Sequence, residues 1–138
     1  MKTVLFACVR NAGRSQMAAA WFNKFAMPSE ARAISAGTDP ADGLHPEVLE
    51  TMWELGIDLS TAAPQRLTQE LAETASLLVT MGCGENCPVV PGLRRLDWPM
   101  EDAVGKSPDQ VRAIRDDIRA RVGALVAEEG WGSRTGAD

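Results

Sequence analysis

The sequence has few residues with which to build a structural disulfide framework or a metal centre. Among 138 residues there are three cysteines and one histidine, and no tyrosine at all. An odd, small number of cysteines is atypical of disulfide-rich secreted domains, and a structural zinc ion usually takes four cysteine or histidine ligands. Reactive thiols and a metal site are the two interpretations that remain open on composition.

Positive charge and long hydrophobic runs are also scarce. The formal net charge is −5 and the isoelectric point is near 4.9, whereas nucleic acid and anionic membranes attract basic surfaces. No apolar stretch approaches the roughly 18 to 20 residues that span a bilayer, and the first residues become charged too early for a signal peptide. We therefore expect a cytoplasmic protein that binds neither nucleic acid nor membrane, so local positive groups must hold any anionic ligand.

The hydrophobic pattern predicts one α/β domain over residues 1–129 and a flexible tail over 130–138. Short apolar runs predict strands at 3–8, 32–37, 76–81 and, more weakly, 93–98. Helical spacing predicts a helix that begins after the first strand and stops before Pro28, and others at 45–56, 66–75 and 107–129. Such alternation predicts a parallel sheet with helices on both faces.

In such sheets, sites lie beyond the carboxyl ends of the strands. Cys8 ends the first strand, residues 81–83 follow the third, and residues 98–102 follow the fourth. We therefore expect these three segments to meet at one edge of the sheet.

The residues between the first strand and the first helix have the composition of an anion-binding loop. Cys8 and Arg14 enclose five residues, and Ser15 follows. A loop of this length can turn its N–H groups toward one point, where the helix N-terminus adds partial positive charge. Arg14 can add a bidentate donor pair, while Asn11 and Gly13 tolerate unusual backbone conformations. The pattern predicts a site for a tetrahedral oxyanion.

The same groups favour a thiolate at Cys8. The helix N-terminus, Arg14 and the Ser15 hydroxyl can stabilise negative charge on a sulfur placed within the loop, which would make Cys8 a nucleophile aimed at the bound anion. A cysteine at a strand end is more often a small buried hydrophobe. The strand before, the loop composition and the helix after favour the catalytic interpretation.

The other two cysteines, Cys83 and Cys87, lie four residues apart among glycines. In a helical turn this spacing brings two Cα atoms to about 6 Å, which a disulfide can bridge. Zinc is the rival interpretation, but too few ligands remain if Cys8 belongs to the anion loop. His45 precedes a proline at a helix start, where we expect a solvated loop role. We therefore expect no metal site.

Four motifs in this order, CVRNAGRSQMAAAW, ISAGT, VTMGCGENCPVVP and DWPMEDAVGK, resemble those of the thioredoxin-coupled arsenate reductases built on the low-molecular-weight protein tyrosine phosphatase fold. The resemblance extends to about residue 126. It implies a three-layer sandwich with a four-stranded parallel sheet flanked by helices. It also implies an arsenic-detoxifying enzyme that needs no cofactor and acts as a monomer.

The resemblance assigns a role to each part of the loop. Cys8 would be the nucleophile, Arg14 would clamp the arsenate oxygens, Ser15 would support the thiolate and Asn11 would shape the loop. Asp102 matches the acid that protonates a leaving oxygen. The residues expected to bind substrate are Cys8, Val9, Arg10, Asn11, Ala12, Gly13, Arg14 and Ser15.

Resemblance also implies a relay of three thiols. Cys8 would attack arsenic, Cys83 would attack the Cys8 sulfur and release arsenite, and Cys87 would then form a disulfide with Cys83 for reduction by thioredoxin. Phosphate and sulfate would compete with arsenate for the loop.

Several positions depart from the family pattern. Ala103 replaces a usual proline after the acid, and Arg10 adds a positive group, which we expect to draw anions toward the loop. Ala19 stands where some members have an acidic potassium ligand, so we expect no potassium site. Asp97 and Glu101 are weaker candidates for the acid.

Three other functions are compatible with parts of the pattern. A tyrosine phosphatase would use the same loop, but it would not need the cysteine pair, and the tyrosines that often flank the acid loop in such phosphatases are absent. A reductase coupled to a small thiol such as mycothiol or glutathione would also make the pair unnecessary. A non-catalytic oxyanion-binding or redox-sensing module would leave Asp102 and the ordered thiols without a task.

Overall fold

A computed structural model of the chain describes residues 1–82 and 87–132. It contains a four-stranded parallel sheet in the order β2-β1-β3-β4, flanked by helices, which confirms the expected α/β architecture. In chain order the elements are β1 (Lys2–Cys8), α1 (Arg14–Phe25), β2 (Ala31–Gly37), α2 (Pro46–Trp53), α3 (Gln69–Glu73), β3 (Leu77–Thr80), β4 (Arg94–Asp97) and α4 (Pro108–Glu129).

The central strand β1 divides its side chains between two hydrophobic clusters. Val4, Phe6 and Cys8 belong to the larger cluster with α1, α2 and α4, whereas Leu5 and Ala7 belong to a smaller one on the α3 side. This alternation follows from the two-residue period of a strand. Cys8, at the end of β1, therefore faces α1.

Helix ends are set by local sequence. Ser107 accepts a hydrogen bond from the Gln110 N–H, and the Gln110 side chain accepts one from the Ser107 N–H, so the predicted capping box begins α4. Gly130, in the left-handed conformation, ends α4. Among the described residues, no helix combines the length and the apolar character that a bilayer span requires.

The chain continues to make contacts beyond α4, where the sequence predicts a flexible tail. The Trp131 ring packs edge-on against Phe22, with centroids 5.8 Å apart, and the Trp131 carbonyl accepts a hydrogen bond from Met27 N–H at 2.7 Å. Gly132 bridges to Ala26. The domain therefore extends to residue 132, because these contacts dock the segment on α1; the rest of the expected tail lies outside the described residues.

Helix α2 buries less of its apolar sequence than the pattern suggests. Val48 and Met52, one turn apart, are fully buried, whereas Trp53 is 65% exposed and Leu55 39%. The helix ends at Trp53, and a residue adjacent to Met52 is turned by about 100° from the buried stripe. The face that α2 buries is therefore narrow.

An ion-pair cluster joins the end of α2 to α4. The Glu54 carboxylate accepts from Arg112 Nη2 at 2.6 Å and from Arg115 Nη1 at 3.0 Å, and Arg115 also donates to the Thr51 carbonyl at 2.8 Å. The Arg112 hydrogen bond lowers the pKa of Glu54, with Arg115 acting in the same direction. Ionised Glu54 therefore stabilises the contact between the two helices.

We expect Glu54→Gln to lower Tm at pH 7 by no more than about 3 °C, because exposed ion pairs contribute little. A carboxyl whose folded-state pKa is depressed stabilises the fold above its unfolded pKa and loses that contribution as pH falls through the folded value. Thermal unfolding at several pH values should therefore show the two proteins converging below the unperturbed value of 4.5. Glu50→Gln is the same change at an exposed residue of α2 that has no ion pair among the described residues. It should leave Tm unchanged both at pH 7 and at the lowest pH measured. A pH-independent difference for Glu54→Gln would contradict this.

Candidate active site

The carboxyl ends of β1, β3 and β4 meet around one arginine. Arg14, the first residue of α1, is only 7% exposed. Its Nη1 donates to the Met81 carbonyl at 2.7 Å, just after β3, and to the Met100 carbonyl at 3.1 Å, after β4. Its Nη2 lies 3.7 Å from Asp102 Oδ2. The three segments that the topology assigns to this edge are therefore brought together.

In the loop that follows β1, six consecutive carbonyls accept hydrogen bonds. Most of the donors belong to the segment after β2, at 2.8 to 3.2 Å. The carbonyls of Cys8, Val9, Arg10 and Ala12 accept from the N–H groups of Thr38, Asp39, Ala41 and His45, respectively. The Asn11 carbonyl accepts from the Gln16 side chain at 3.1 Å, and the Gly13 carbonyl from Met17 N–H at 2.9 Å.

These bonds also orient the N–H groups of the loop. No peptide bond in the described chain is cis, and in a trans peptide the N–H points opposite to the C=O. Carbonyls held outward from residues 8 to 13 therefore direct the N–H groups of residues 9 to 14 inward. The Asn11 N–H illustrates this, since it lies 3.2 Å from Cys8 Sγ. The loop thus forms a concave ring of donors of the kind that binds oxyanions.

Asn11 holds the shape of this ring. Its φ is 52°, and no other non-glycine residue among those described has a positive φ. Asparagine tolerates this conformation better than most residues do. Its Oδ1 accepts from Gln65 N–H at 2.9 Å and from Gln16 Nε2 at 3.2 Å, and its Nδ2 donates to Ser15 Oγ at 2.7 Å. Both the oxygen and the nitrogen of the fully buried Asn11 side-chain amide are therefore hydrogen-bonded. The sequence pattern indicates Asn11 but not its partners, the side-chain amide of Gln16 and the backbone N–H of Gln65. Neither contact has a signal in the sequence.

The Cys8 sulfur lies at the floor of the ring. Ser15 Oγ is 2.9 Å from Cys8 Sγ and accepts from Asn11 Nδ2, so its hydroxyl is within reach to donate to an ionised sulfur. Cys8 is a free cysteine and only 1% exposed. The Asn11 N–H thus points at the sulfur from within the ring, and both it and the Ser15 hydroxyl can stabilise negative charge on the sulfur.

Two glycines make the close approach of these segments possible. A Cβ at Gly37 would lie 2.5 Å from the Val9 carbonyl oxygen and 2.9 Å from Asn11 N, distances that a side chain cannot occupy. Gly82 has a φ of +91°, and a Cβ there would lie 2.5 Å from Arg14 Nη1. The glycines of the ISAGT and VTMGC motifs therefore leave room for the loop backbone and for the guanidinium.

Of the three acidic candidates, only Asp102 faces Arg14. Asp97 is hydrogen-bonded by the Thr80 hydroxyl and by Arg95, and these contacts lower its pKa, so it is held as a carboxylate. Glu101 is 78% exposed and pairs with Lys106 at 3.1 Å. Asp102 Oδ1 accepts from Val104 N–H at 3.3 Å. Asp102 is thus the candidate that lies at Arg14, and its role as the acid stays a prediction.

The residue after Asp102, Ala103, is fully buried. A Cβ at Gly13 would lie 3.6 Å from the Ala103 Cβ, so this side chain sits next to the anion loop. The family pattern has proline at position 103, and this chain has alanine. Packing of Ala103 and the hydrogen bond from Val104 N–H to Asp102 hold the segment in place instead.

His45 is the other ionisable side chain at Asp102. Its Nε2 lies 3.7 Å from Asp102 Oδ1, and the side chain is 17% exposed. The expectation of a solvated loop role is therefore wrong, because α2 begins at the next residue and places the imidazole against the acid. A histidine directly before a helix-starting proline gives no sequence signal for this placement.

Arg10 lies at the rim and is already paired. Its Nη1 donates to Asp39 Oδ2 at 2.7 Å and to the Asp39 carbonyl at 3.0 Å, with 44% and 71% of the two side chains exposed. The positive charge predicted at this position is thus partly neutralised by a partner on the segment after β2.

The predicted cysteine pair is only partly described. Cys87 is 9% exposed, belongs to the smaller hydrophobic cluster, and is disulfide-bonded. Cys83 lies outside the described residues, so the path between the pair and Cys8 stays a prediction. Across residues 1–82 and 87–132 no cluster of three or more potential metal ligands is found.

Comparisons with known proteins agree with this geometry. The family model described as low molecular weight phosphotyrosine protein phosphatase matches residues 3–130. A putative arsenate reductase from Halobacterium salinarum is 38% identical over 127 residues, which cover 89% of each chain.

Solved structures show the same similarity. A thioredoxin-dependent arsenate reductase from Corynebacterium glutamicum is 39% identical with a TM-score of 0.81; the match covers 93% of this chain and 61% of that longer chain. An arsenate reductase in the phosphate binding state is 30% identical with a TM-score of 0.78, and covers 93% of this chain and 98% of that one. The resemblance seen in the motifs is thereby confirmed, and the chain belongs to the low molecular weight phosphotyrosine protein phosphatase family, within the group that contains arsenate reductases.

Proposed function

We propose that this protein reduces arsenate to arsenite, with thioredoxin as the external dithiol reductant. The observation that carries the proposal is the ring of inward N–H groups around the Cys8 sulfur, closed on one side by Arg14. Arsenate and phosphate are both tetrahedral oxyanions that such a ring suits. The names of the relatives, including a thioredoxin-dependent arsenate reductase, support arsenate as the substrate.

In the first step the Cys8 thiolate attacks arsenic(V). The loop N–H groups and Arg14 hold the anion oxygens, and protonated Asp102 gives its proton to a leaving oxygen, which departs as water. One S–As bond forms and one As–O bond breaks, so arsenic is still pentavalent in the resulting thiol–arsenate adduct. Asp102 is left as a carboxylate that the next cycle must reprotonate.

The reduction itself belongs to the second step. Cys83 attacks the Cys8 sulfur, a Cys8–Cys83 disulfide forms, and the electron pair of the broken S–As bond stays on arsenic, which leaves as arsenite. Cys87 then attacks Cys83 and restores the Cys8 thiolate. The two electrons gained by arsenic come from the thiols, and thioredoxin returns two electrons by reducing the Cys83–Cys87 disulfide.

Partners and location follow from this chemistry. Phosphate and sulfate should compete with arsenate because the ring recognises tetrahedral oxygens rather than the central atom. A relay that is reset by a dithiol requires a reducing compartment, so we place the protein in the cytoplasm. The protein acts as a monomer in this scheme, since every group in the cycle comes from one chain.

Phosphatase activity is the second candidate function, because the loop, Arg14 and Asp102 would equally serve phosphate monoester hydrolysis. That reaction needs only Cys8 of the three cysteines. A non-catalytic oxyanion sensor would need neither Asp102 nor the cysteine pair. The fate of the thiols after exposure to arsenate therefore separates the three functions.

Reduced protein mixed with arsenate and no external reductant should release about one arsenite per chain, because the relay holds a single pair of electrons. Peptide mass spectrometry should then find a Cys83–Cys87 disulfide in the wild type and a trapped Cys8–Cys83 disulfide in Cys87→Ser. Cys83→Ser is the matched control, and it should release no arsenite. Hydrolysis of p-nitrophenyl phosphate without any thiol oxidation by arsenate would favour the phosphatase instead.

Replacing Asp102 by Asn should lower kcat for arsenate reduction about 100-fold, the usual scale for loss of a general acid. Asp97→Asn removes a carboxylate that already binds Thr80 and Arg95, so it should change kcat by less than about twofold if the fold is retained. Steady-state kinetics coupled to thioredoxin, with Tm as a folding check, make the comparison. Equal losses in the two variants would remove the acid role from Asp102.

We expect Arg10→Ala to raise KM for arsenate about two- to fivefold at low ionic strength and less at high salt, since the interaction is exposed and screened. The change also leaves the Asp39 carboxylate uncompensated beside the loop. Arg32→Ala removes the same charge from the opposite end of the sheet, where Arg32 pairs in register with Thr3, and should not alter KM. An unchanged KM for Arg10→Ala at low salt would dismiss steering by Arg10.

A further inference from the structure

We propose that His45 is a positioning residue for the acid step: it orients the Asp102 carboxyl so that the other oxygen of that group faces the bound anion. The inference rests on the proposed role of Asp102 within the proposed function. It concerns a residue whose sequence context predicts only a solvated loop.

His45 is attached to the anion loop through its backbone. Its N–H donates to the Ala12 carbonyl at 3.1 Å, one of the bonds that turns the loop N–H groups inward. A Cβ at Gly13 would lie 3.5 Å from His45 Cδ2, so the imidazole also lies close to the loop. The imidazole is therefore placed beside the loop by both its backbone and its ring.

The polar tip of the imidazole is buried and lacks a partner. Among the described residues, His45 Nε2 has no hydrogen bond although the atom is inaccessible to solvent, and an unpaired buried polar group is unfavourable. Asp102 Oδ1 lies 3.7 Å away. A shift of about 0.7 Å would bring an Nε2–H group into hydrogen-bond distance of that oxygen.

The two oxygens of Asp102 have different surroundings. Oδ1 faces His45 and accepts from Val104 N–H at 3.3 Å, whereas Oδ2 faces Arg14 Nη2 at 3.7 Å. Arg14 is the side chain assigned to the anion, so Oδ2 lies on the substrate side and is the oxygen placed to give up a proton. Oδ1, which accepts from Val104 N–H and has His45 Nε2 3.7 Å away, is the oxygen through which the orientation of the group can be set.

Control of this orientation matters because rotation of a carboxyl about its last bond is soft. Val104 N–H alone provides one contact, at a long distance, and leaves the carboxyl plane poorly fixed. A second donor on the same oxygen fixes the plane and keeps Oδ2 toward the anion. His45 therefore acts on the rate of proton delivery and not on anion binding.

A double-mutant cycle tests this assignment. We expect His45→Leu to lower kcat for arsenate reduction about 10-fold, part of the loss caused by removing the acid itself, with KM changed less than about twofold. His45→Gln, which keeps an Nε2–H donor of similar reach, should retain at least about half of kcat. In an Asp102→Asn background, His45→Leu should have no further effect on kcat. Glu47→Gln, on the first turn of α2, is the matched control and should leave both constants unchanged.

A purely structural role for His45 would give a different result. His45→Leu would then lower kcat by the same factor with and without the Asp102 carboxyl, or would raise KM while kcat stayed constant, and either outcome overturns the proposal. Tm is recorded for every variant. If His45→Leu does not fold, His45→Asn, which keeps an amide but shortens its reach, takes its place in the cycle, with the same expected dependence on Asp102.

The series also separates this inference from the proposed function. If the wild type does not reduce arsenate but hydrolyses p-nitrophenyl phosphate, the proposed function fails, and the same cycle is measured on hydrolysis, which uses the same loop and acid. Loss of the His45 effect in the Asp102→Asn background would then support the positioning role, and equal factors would overturn it. A wild type that turns over neither compound would overturn both proposals.

Discussion

The loop that follows β1 depends on one constraint, the hydrogen bonding of its carbonyls. Those of Cys8, Val9, Arg10 and Ala12 are held by N–H groups of the segment that follows β2, and planar trans peptides then leave the N–H groups pointing inward. The affinity for an anion that we propose for this loop would thus originate in backbone bonds made on the outside of the loop. The segment after β2 therefore shapes the loop through its backbone N–H groups, which hold the loop carbonyls outward.

Arg14 holds together the chain segments that surround the loop. A single guanidinium donates to the carbonyls of Met81 and Met100 and approaches Asp102, so it ties together the ends of three strands. Its Nε remains buried without a partner among the described residues. An arginine arranged in this way retains donor capacity for an anion while it fixes the positions of the acid loop and of the chain that leads toward Cys83.

Charge is distributed in keeping with this arrangement. The protein is acidic overall, with a formal charge of −5, and several arginines outside the site are paired with carboxylates, as in the Glu54 cluster and the pair of Arg94 with Glu129. These contacts lower the pKa values of Glu54 and Glu129, chiefly through the arginine hydrogen bonds. The proposed anion site would therefore rely on local N–H groups and Arg14 instead of a general positive field.

The sequence by itself determined the alternating elements, the parallel sheet and the loop from Cys8 to Arg14, because strand and helix periods and turn residues are local signals. It also singled out Asp102, through resemblance. Only the tertiary structure decided that Asp97 and Glu101 are engaged elsewhere, that Arg10 is paired with Asp39, and that His45 lies against the acid. Glu101 pairs with the nearby Lys106 through side-chain conformations that the sequence pattern does not specify. The contacts of Asp97 with Thr80, of Arg10 with Asp39 and of His45 with Asp102 depend on which segments meet at the sheet edge, and no local pattern encodes contacts between residues so far apart in the chain.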